Sequence, residues 1–117
     1  MVFDTAHPGP KPGRQVQAFN IVLERPDSRE RFHRLARESK PPGRLYGLCG
    51  LLLVARGEGN RFAHSLSLVS DDVTIRDADF IFETPIVRAI VLIYADDVAR
   101  RLSEQREAAY SFFDPPQ

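Results

Sequence analysis

Apolar and polar residues alternate irregularly along the chain, and the clearest feature is an uncharged apolar run at its centre. Residues 45–55 contain no polar side chain other than Tyr46, and Arg44 and Arg56 bound them. Such a run is expected to be a buried core element. Leucine-rich composition and length favour a helix over a strand of about five or six residues, which is the alternative. In a helix, the glycines at positions 47 and 50 would form a smooth patch for close packing against a neighbour.

Amphipathic helices are predicted before and after this core element. Asp27 and Glu30 have the spacing of a capping box, and apolar residues follow at helical intervals, which predicts a helix over about 27–39. Similar spacing near the other end predicts a closing helix over about 96–110. Both helices are expected to lie on the surface with one apolar face towards the core.

Three further segments give conflicting signals. The apolar residues of 16–23 fit neither the strand period nor the helical period. Residues 57–60 are predicted to form a turn, after which 61–69 fits either a short helix or a strand. Residues 84–85 are a good helix start, yet 86–94 are rich in β-branched side chains, which favour a buried strand. These assignments remain open at the level of sequence.

A small β-hairpin is predicted where two β-rich quartets flank an Asp-Ala-Asp sequence, over about 73–83. With the helices, it gives a helix-rich α+β single domain as the expected fold. The alternative is an α/β sandwich of β-α-β-β-(β)-α order, in which the strands would be 16–24, 45–55, 62–69, 73–76 and 86–94.

Residues 7–13 hold three prolines and two glycines, which disfavour regular structure. We therefore expect a flexible arm over 1–14, one globular domain over 15–113 and a short tail over 114–117. The chain starts without a secretory signal pattern, and its longest apolar run is too short for a transmembrane helix. A single cysteine, Cys49, cannot form an intrachain disulfide and favours a reducing compartment. A cytoplasmic protein without membrane contact is expected.

Composition agrees with a packed domain, since 43% of the residues are apolar and 27% are charged. The formal net charge is zero but is unevenly distributed. Residues 1–61 contain eleven Lys or Arg against six Asp or Glu, and the remaining residues contain five against ten. Opposed charges of this kind bear on association with partners rather than on the fold.

Few residues have a spacing that indicates chemistry. The three histidines are isolated from one another, and no nucleophile, metal or cofactor motif is present, so no cofactor is expected. The densest carboxylate cluster lies within 71–79. One hypothesis is therefore a small enzyme or a ligand- or metal-binding domain that uses His64 with Asp77 and Asp79.

The favoured hypothesis is a non-catalytic interaction or regulatory protein, such as an adaptor, an inhibitor or an immunity-type partner. It would bind another protein, or a second copy of itself, through charged faces. The neutral net charge speaks against nucleic acid. The basic helix supplies the candidate partner-binding residues, which are Arg29, Arg31, His33, Arg34 and Arg37.

Overall fold

The computed structural model describes residues 2–6, 13–38 and 40–113, apart from the side chains of residues 38 and 106–113. The described chain has the helix-rich α+β fold predicted from the sequence, with six helices and a small three-stranded sheet. In chain order, the elements are β1 (Phe3–Asp4), α1 (Arg14–Leu23), α2 (Ser28–Glu38), α3 (Pro41–Val54), α4 (Arg56–Leu66), β2 (Asp72–Asp77), β3 (Phe80–Pro85), α5 (Ile86–Ala95) and α6 (Val98–Phe113).

The helix α3 is the central element, as its apolar sequence predicts. Its leucines are unbranched at Cβ and lose little side-chain freedom in a helix, so the helical interpretation is confirmed and the strand alternative is wrong. Ten of the fourteen residues of α3 are buried. The helices α2, α4 and α6 and the sheet pack around this helix. Among the described residues, no helix is long and apolar enough to cross a membrane.

Two glycines allow α2 and α3 to pack unusually closely, which confirms the role expected of them. A Cβ atom at Gly47 would overlap the backbone of Ala36, and one at Gly50 would overlap the ring of Phe32. Ala36 and Phe32 are both completely buried. The helix α2 itself matches the prediction for 27–39 to within one residue at each described end.

All three segments with conflicting signals are helical over most of their length, as α1, α4 and α5. In α5, the buried residues Ile86, Ala89, Ile90 and Ile93 recur at helical spacing, so burial of one face outweighs the strand preference of β-branched side chains. The sandwich alternative is therefore wrong, because four of its five strands are helices.

The predicted hairpin is present as the antiparallel pair β2 and β3. The register pairs Ile75 with Phe82 and Asp77 with Phe80. A two-residue turn joins the strands, in which Ala78 has the positive φ of 55° that such turns require at one of their central positions. Val73 and Ile75 on β2 are buried against the helices, so one face of the sheet belongs to the core.

The amino-terminal segment differs from the expected arm over 1–14, because residues 2–6 are part of the fold. The strand β1 pairs in parallel with β2, and Phe3 lies opposite Ile75. Phe3 is completely buried, its ring centre lies 4.7 Å from that of Tyr46, and the backbone N–H of Asp4 donates to the Tyr46 hydroxyl at 2.9 Å. The prolines and glycines predicted to be flexible lie at 7–13, of which 7–12 are outside the described residues, as is the tail at 114–117.

The closing helix predicted over 96–110 is confirmed as α6, although it begins two residues later. Asp97 lies before it in the left-handed region, with φ of 50°, which ends α5 and redirects the chain. The side-chain amide of Asn20 on α1 donates to the backbone oxygens of Val16 and Leu102, at 3.0 and 2.9 Å. This buried amide fixes α6 against α1.

Candidate functional site

A groove of about 700 Å³ follows the solvent side of α2. Helical spacing places most of its lining side chains on one face of α2, because positions 30, 33 and 37 are about one turn apart. Of the predicted partner-binding residues, Arg29, His33, Arg34 and Arg37 line the groove, whereas Arg31 does not. The full lining is Pro26, Asp27, Arg29, Glu30, His33, Arg34 and Arg37.

Glu58 on α4 connects two of these residues to the neighbouring helix. One of its carboxylate oxygens accepts from Arg29 Nε at 2.7 Å and lies 3.0 Å from His33 Nε2, and its other oxygen pairs with Arg29 Nη2. These bonds, first that of Arg29 and then that of His33, lower the pKa of Glu58 to about 2. Arg29 is therefore neutralised within the protein.

The turn predicted at 57–60 is wrong. Glu58 reaches this position because these residues belong to a helix. The helix α4 begins at Arg56 and continues through all four residues. Gly59 is buried, and a Cβ atom there would lie 2.9 Å from the backbone nitrogen of Leu52. A glycine that suggested a turn is thus a contact point between α4 and α3.

A second carboxylate, Asp27 at the amino-terminal end of the groove, pairs with two arginines that lie outside the lining. Asp27 accepts from Arg25 Nε at 3.1 Å and from Arg31 Nε at 2.8 Å. The bond from Arg31 is the largest cause of the lowered pKa of Asp27. Arg31 is consequently held in a local ion pair one helical turn long.

Arg34 and Arg37 have a different environment from the other arginines of α2. Both side chains are exposed, and neither pairs with a carboxylate in the part of the chain that the structure describes. Arg37 Nε has one long contact, at 3.4 Å, with the backbone oxygen of His33. Two guanidinium groups, one turn apart, therefore provide free donors at the carboxyl-terminal half of the groove.

The residues of the alternative site lie on different elements. His64 is exposed in the last turn of α4, a helix that packs on α3 and α5. Asp77 ends β2 and accepts a hydrogen bond from Thr5 Oγ1 at 2.7 Å, and Asp79 lies beyond the strand in the hairpin turn. Over the described ranges, no group of three His, Cys, Asp or Glu side chains could hold a metal ion.

Cys49 lies in α3, completely buried and remote from solvent. Burial raises the pKa of its thiol, because the thiolate would lose its hydration. The thiol is therefore held in the form that is not nucleophilic.

A second surface was not identified from the sequence: the outer strand β3 exposes large apolar side chains. Phe80 is 74% exposed, Ile81 66% and Phe82 41%. On the helix that follows, Val87 and Val91 are also exposed, one turn apart. Three consecutive large apolar residues in a short strand were a usable signal, because a strand with one buried face needs only alternate residues to be apolar.

Glu58 was also missed, since no local pattern connects it with a helix 25 residues earlier.

Searches of protein-family models, curated proteins and solved structures found no match to this chain.

Proposed function

We propose that this chain is a non-catalytic interaction protein that holds an acidic segment of a partner protein in the groove along α2. The observation that carries the proposal is the difference among the arginines of this helix. Arg29 and Arg31 are already paired, whereas Arg34 and Arg37 are exposed and have no carboxylate within the described chain. Guanidinium groups of this kind form strong charge-assisted hydrogen bonds with carboxylates.

The distribution of charge along the groove supports a directional partner. Asp27 and Glu30 lie at the amino-terminal half, and Arg34 and Arg37 lie at the carboxyl-terminal half. An extended acidic segment would be attracted to one half and repelled from the other, which favours one orientation. The ion pair between Glu58 and Arg29 joins α2 to α4, which makes the surface beneath a bound segment more rigid.

The acid–base pair beside the groove, His33 with Glu58, has a structural explanation, because Glu58 is also bonded to Arg29. An enzymatic or metal-binding function of His64, Asp77 and Asp79 has no comparable geometric support. The buried free thiol of Cys49 is in keeping with a reducing compartment such as the cytoplasm, which is part of the same proposal.

The test is affinity capture from a lysate of the native host, with bound proteins quantified at low and at high salt. The test variant is Arg34→Glu/Arg37→Glu. The matched control is Arg14→Glu/Arg61→Glu, which changes the net charge by the same amount at two exposed arginines on α1 and α4.

We expect a protein that the wild type and the control capture at low salt, that high salt weakens, and that the test variant fails to retain. The salt effect is expected because exposed charges are screened within about 10 Å at moderate ionic strength. Equal capture by both variants, or no specific capture at either salt, would overturn the proposal.

A further inference from the structure

We propose that two copies of this chain associate through antiparallel pairing of β3 with β3, so that the two three-stranded sheets become one sheet of six strands. The proposal does not depend on the groove along α2. It rests on the direction of the backbone groups at the sheet edge, on the exposed apolar residues of β3 and on the positions of two unpaired charges.

The free edge of the sheet is fixed by the order of its strands, β1-β2-β3. The backbone oxygen of Arg76 accepts from Thr5 N at 3.0 Å, so the backbone of Arg76 points towards β1 and away from β3. Ile81, opposite Arg76, must then direct its own N–H and C=O outwards, as must Glu83 two residues later. Pro85, the next outward position, has no N–H to donate.

The apolar face of the sheet continues to this edge beyond the part covered by helices. The register places Phe80 and Phe82 on the same face as Val73 and Ile75. Val73 and Ile75 are 2% and 0% exposed, whereas Phe82 is 41% and Phe80 74% exposed. Edge strands normally carry charges or prolines that limit pairing, and β3 has Glu83 and Pro85 at two outward positions but the apolar Ile81 at the third.

One register uses the outward N–H and C=O groups of both Ile81 and Glu83 in each copy. A two-fold axis through Phe82 pairs Ile81 of each copy with Glu83 of the other, which forms four backbone hydrogen bonds. The two Phe82 rings then face each other at a position without backbone bonds, where side chains are closest. Phe80 of each copy lies opposite Thr84, three residues before the exposed Val87.

Charge selects this register over its neighbours. An axis through Glu83 would place the two Glu83 carboxylates opposite each other, and an axis through Ile81 would place Glu83 opposite Asp79. In the register centred on Phe82, Glu83 instead lies on the same row as Arg76 of the second copy, two strand spacings or about 10 Å away. Arg76 and Glu83 are both exposed, and neither forms an ion pair within the described chain.

The apolar surface available on β3 is smaller than that of a stable dimer. With about 200 Å² for a large side chain, Phe80, Ile81 and Phe82 expose roughly 700 Å² of apolar surface over the two copies, which is the most they can bury before any contact of α5. Stable interfaces bury about 1,200–2,000 Å² in total. From so small an area we expect a weak dimer, with a dissociation constant in the micromolar range.

The first experiment is sedimentation velocity of the full chain from low to high micromolar concentration. The test variant is Ile81→Glu, which sets two glutamates opposite each other at each end of the pairing. Its control is Ile21→Glu, because Ile21 on α1 is 64% exposed, almost as much as Ile81 at 66%. Circular dichroism verifies that both variants keep the fold.

We expect a concentration-dependent dimer for the wild type and for Ile21→Glu, and at least tenfold weaker association for Ile81→Glu. The double variant Ile81→Glu/Glu83→Lys should regain association, because each introduced glutamate then faces an introduced lysine of the second copy. A wild type that is monomeric throughout, or an Ile81→Glu variant that dimerises as strongly as the wild type, overturns the proposal.

A second experiment tests the position of the axis. Mild oxidation of Phe82→Cys should give a disulfide-linked dimer in high yield, because residues directly opposite each other at such a position satisfy disulfide geometry. Ile21→Cys should give only a trace, and the buried Cys49 should not compete. Equal yields from the two variants would exclude this register.

Discussion

Gly50→Ala tests the close contact between α2 and α3 most directly. The added methyl group would overlap the ring of Phe32, which has no exposed surface. Overpacking of a filled core costs about 1–3 kcal/mol, and a fully enclosed ring argues for the upper end. Alanine in place of glycine returns about 1 kcal/mol through helix propensity. The net effect is a loss of about 2 kcal/mol.

The free energy of unfolding is measured by urea denaturation followed by circular dichroism, with the melting temperature as a second readout. A loss of about 2 kcal/mol corresponds to a melting temperature lower by about 8 °C for a chain of this size. Gly57→Ala is the control, since a Cβ atom there would meet only Arg61 Nη1, at 3.8 Å. It should raise stability by about 0.5 kcal/mol.

Adding Phe32→Leu to Gly50→Ala separates overlap from other causes. The smaller side chain leaves room for the methyl group, so the double variant should lose less stability than the two single losses added together. A Gly50→Ala variant as stable as the wild type, or strict additivity in the double variant, would refute the close-contact explanation.

Two further predictions concern polar contacts. The pKa of Glu58 lies below its usual value of 4.5, at about 2, so its bonds to Arg29 and His33 stabilise the fold above about pH 4.5 and are lost as the pH falls towards 2. The melting temperature of Glu58→Gln should therefore lie furthest below that of the wild type above pH 5 and converge with it near pH 2; parallel curves would contradict this. Thr5→Val removes the hydroxyl donor to Asp77 at a completely buried position, so urea denaturation should show a free energy of unfolding lower by about 1–2 kcal/mol. Thr74→Val should change the free energy of unfolding by less than about 0.5 kcal/mol. Equal losses in the two threonine variants would contradict it.

The elements that could be predicted from the sequence are those whose signals agree within a short window. The helix α3 is apolar throughout and leucine-rich, and α2 combines a start signal with regular apolar spacing. The hairpin has two β-rich segments around a short turn. In each case, local preference and the final packing favour the same conformation.

The errors arose where distant packing decided the structure. Gly59 suggests a turn by its own properties, but its contact with Leu52 makes a helix the better solution, and that helix brings Glu58 to the groove. The strand β1 has only two residues, and no local pattern marks it, because its burial depends on Tyr46 and on β2. The basic residues of the groove were identified from the sequence. Which of them remain unpaired could not be predicted, because the carboxylates that pair with the others lie outside α2.

The parallel pairing of β1 with β2 has a consequence for the order of folding. Phe3 and Ile75, which it pairs, are 72 residues apart, so the sheet is complete only when most of the chain has been synthesised. The helices α1 to α3 can assemble before then, but Phe3 has no strand to cover it until β2 emerges. Hydrogen exchange in pulse-labelled refolding should therefore show β1 protected after α2 and α3, with the first strand of the chain among the last elements to become stable.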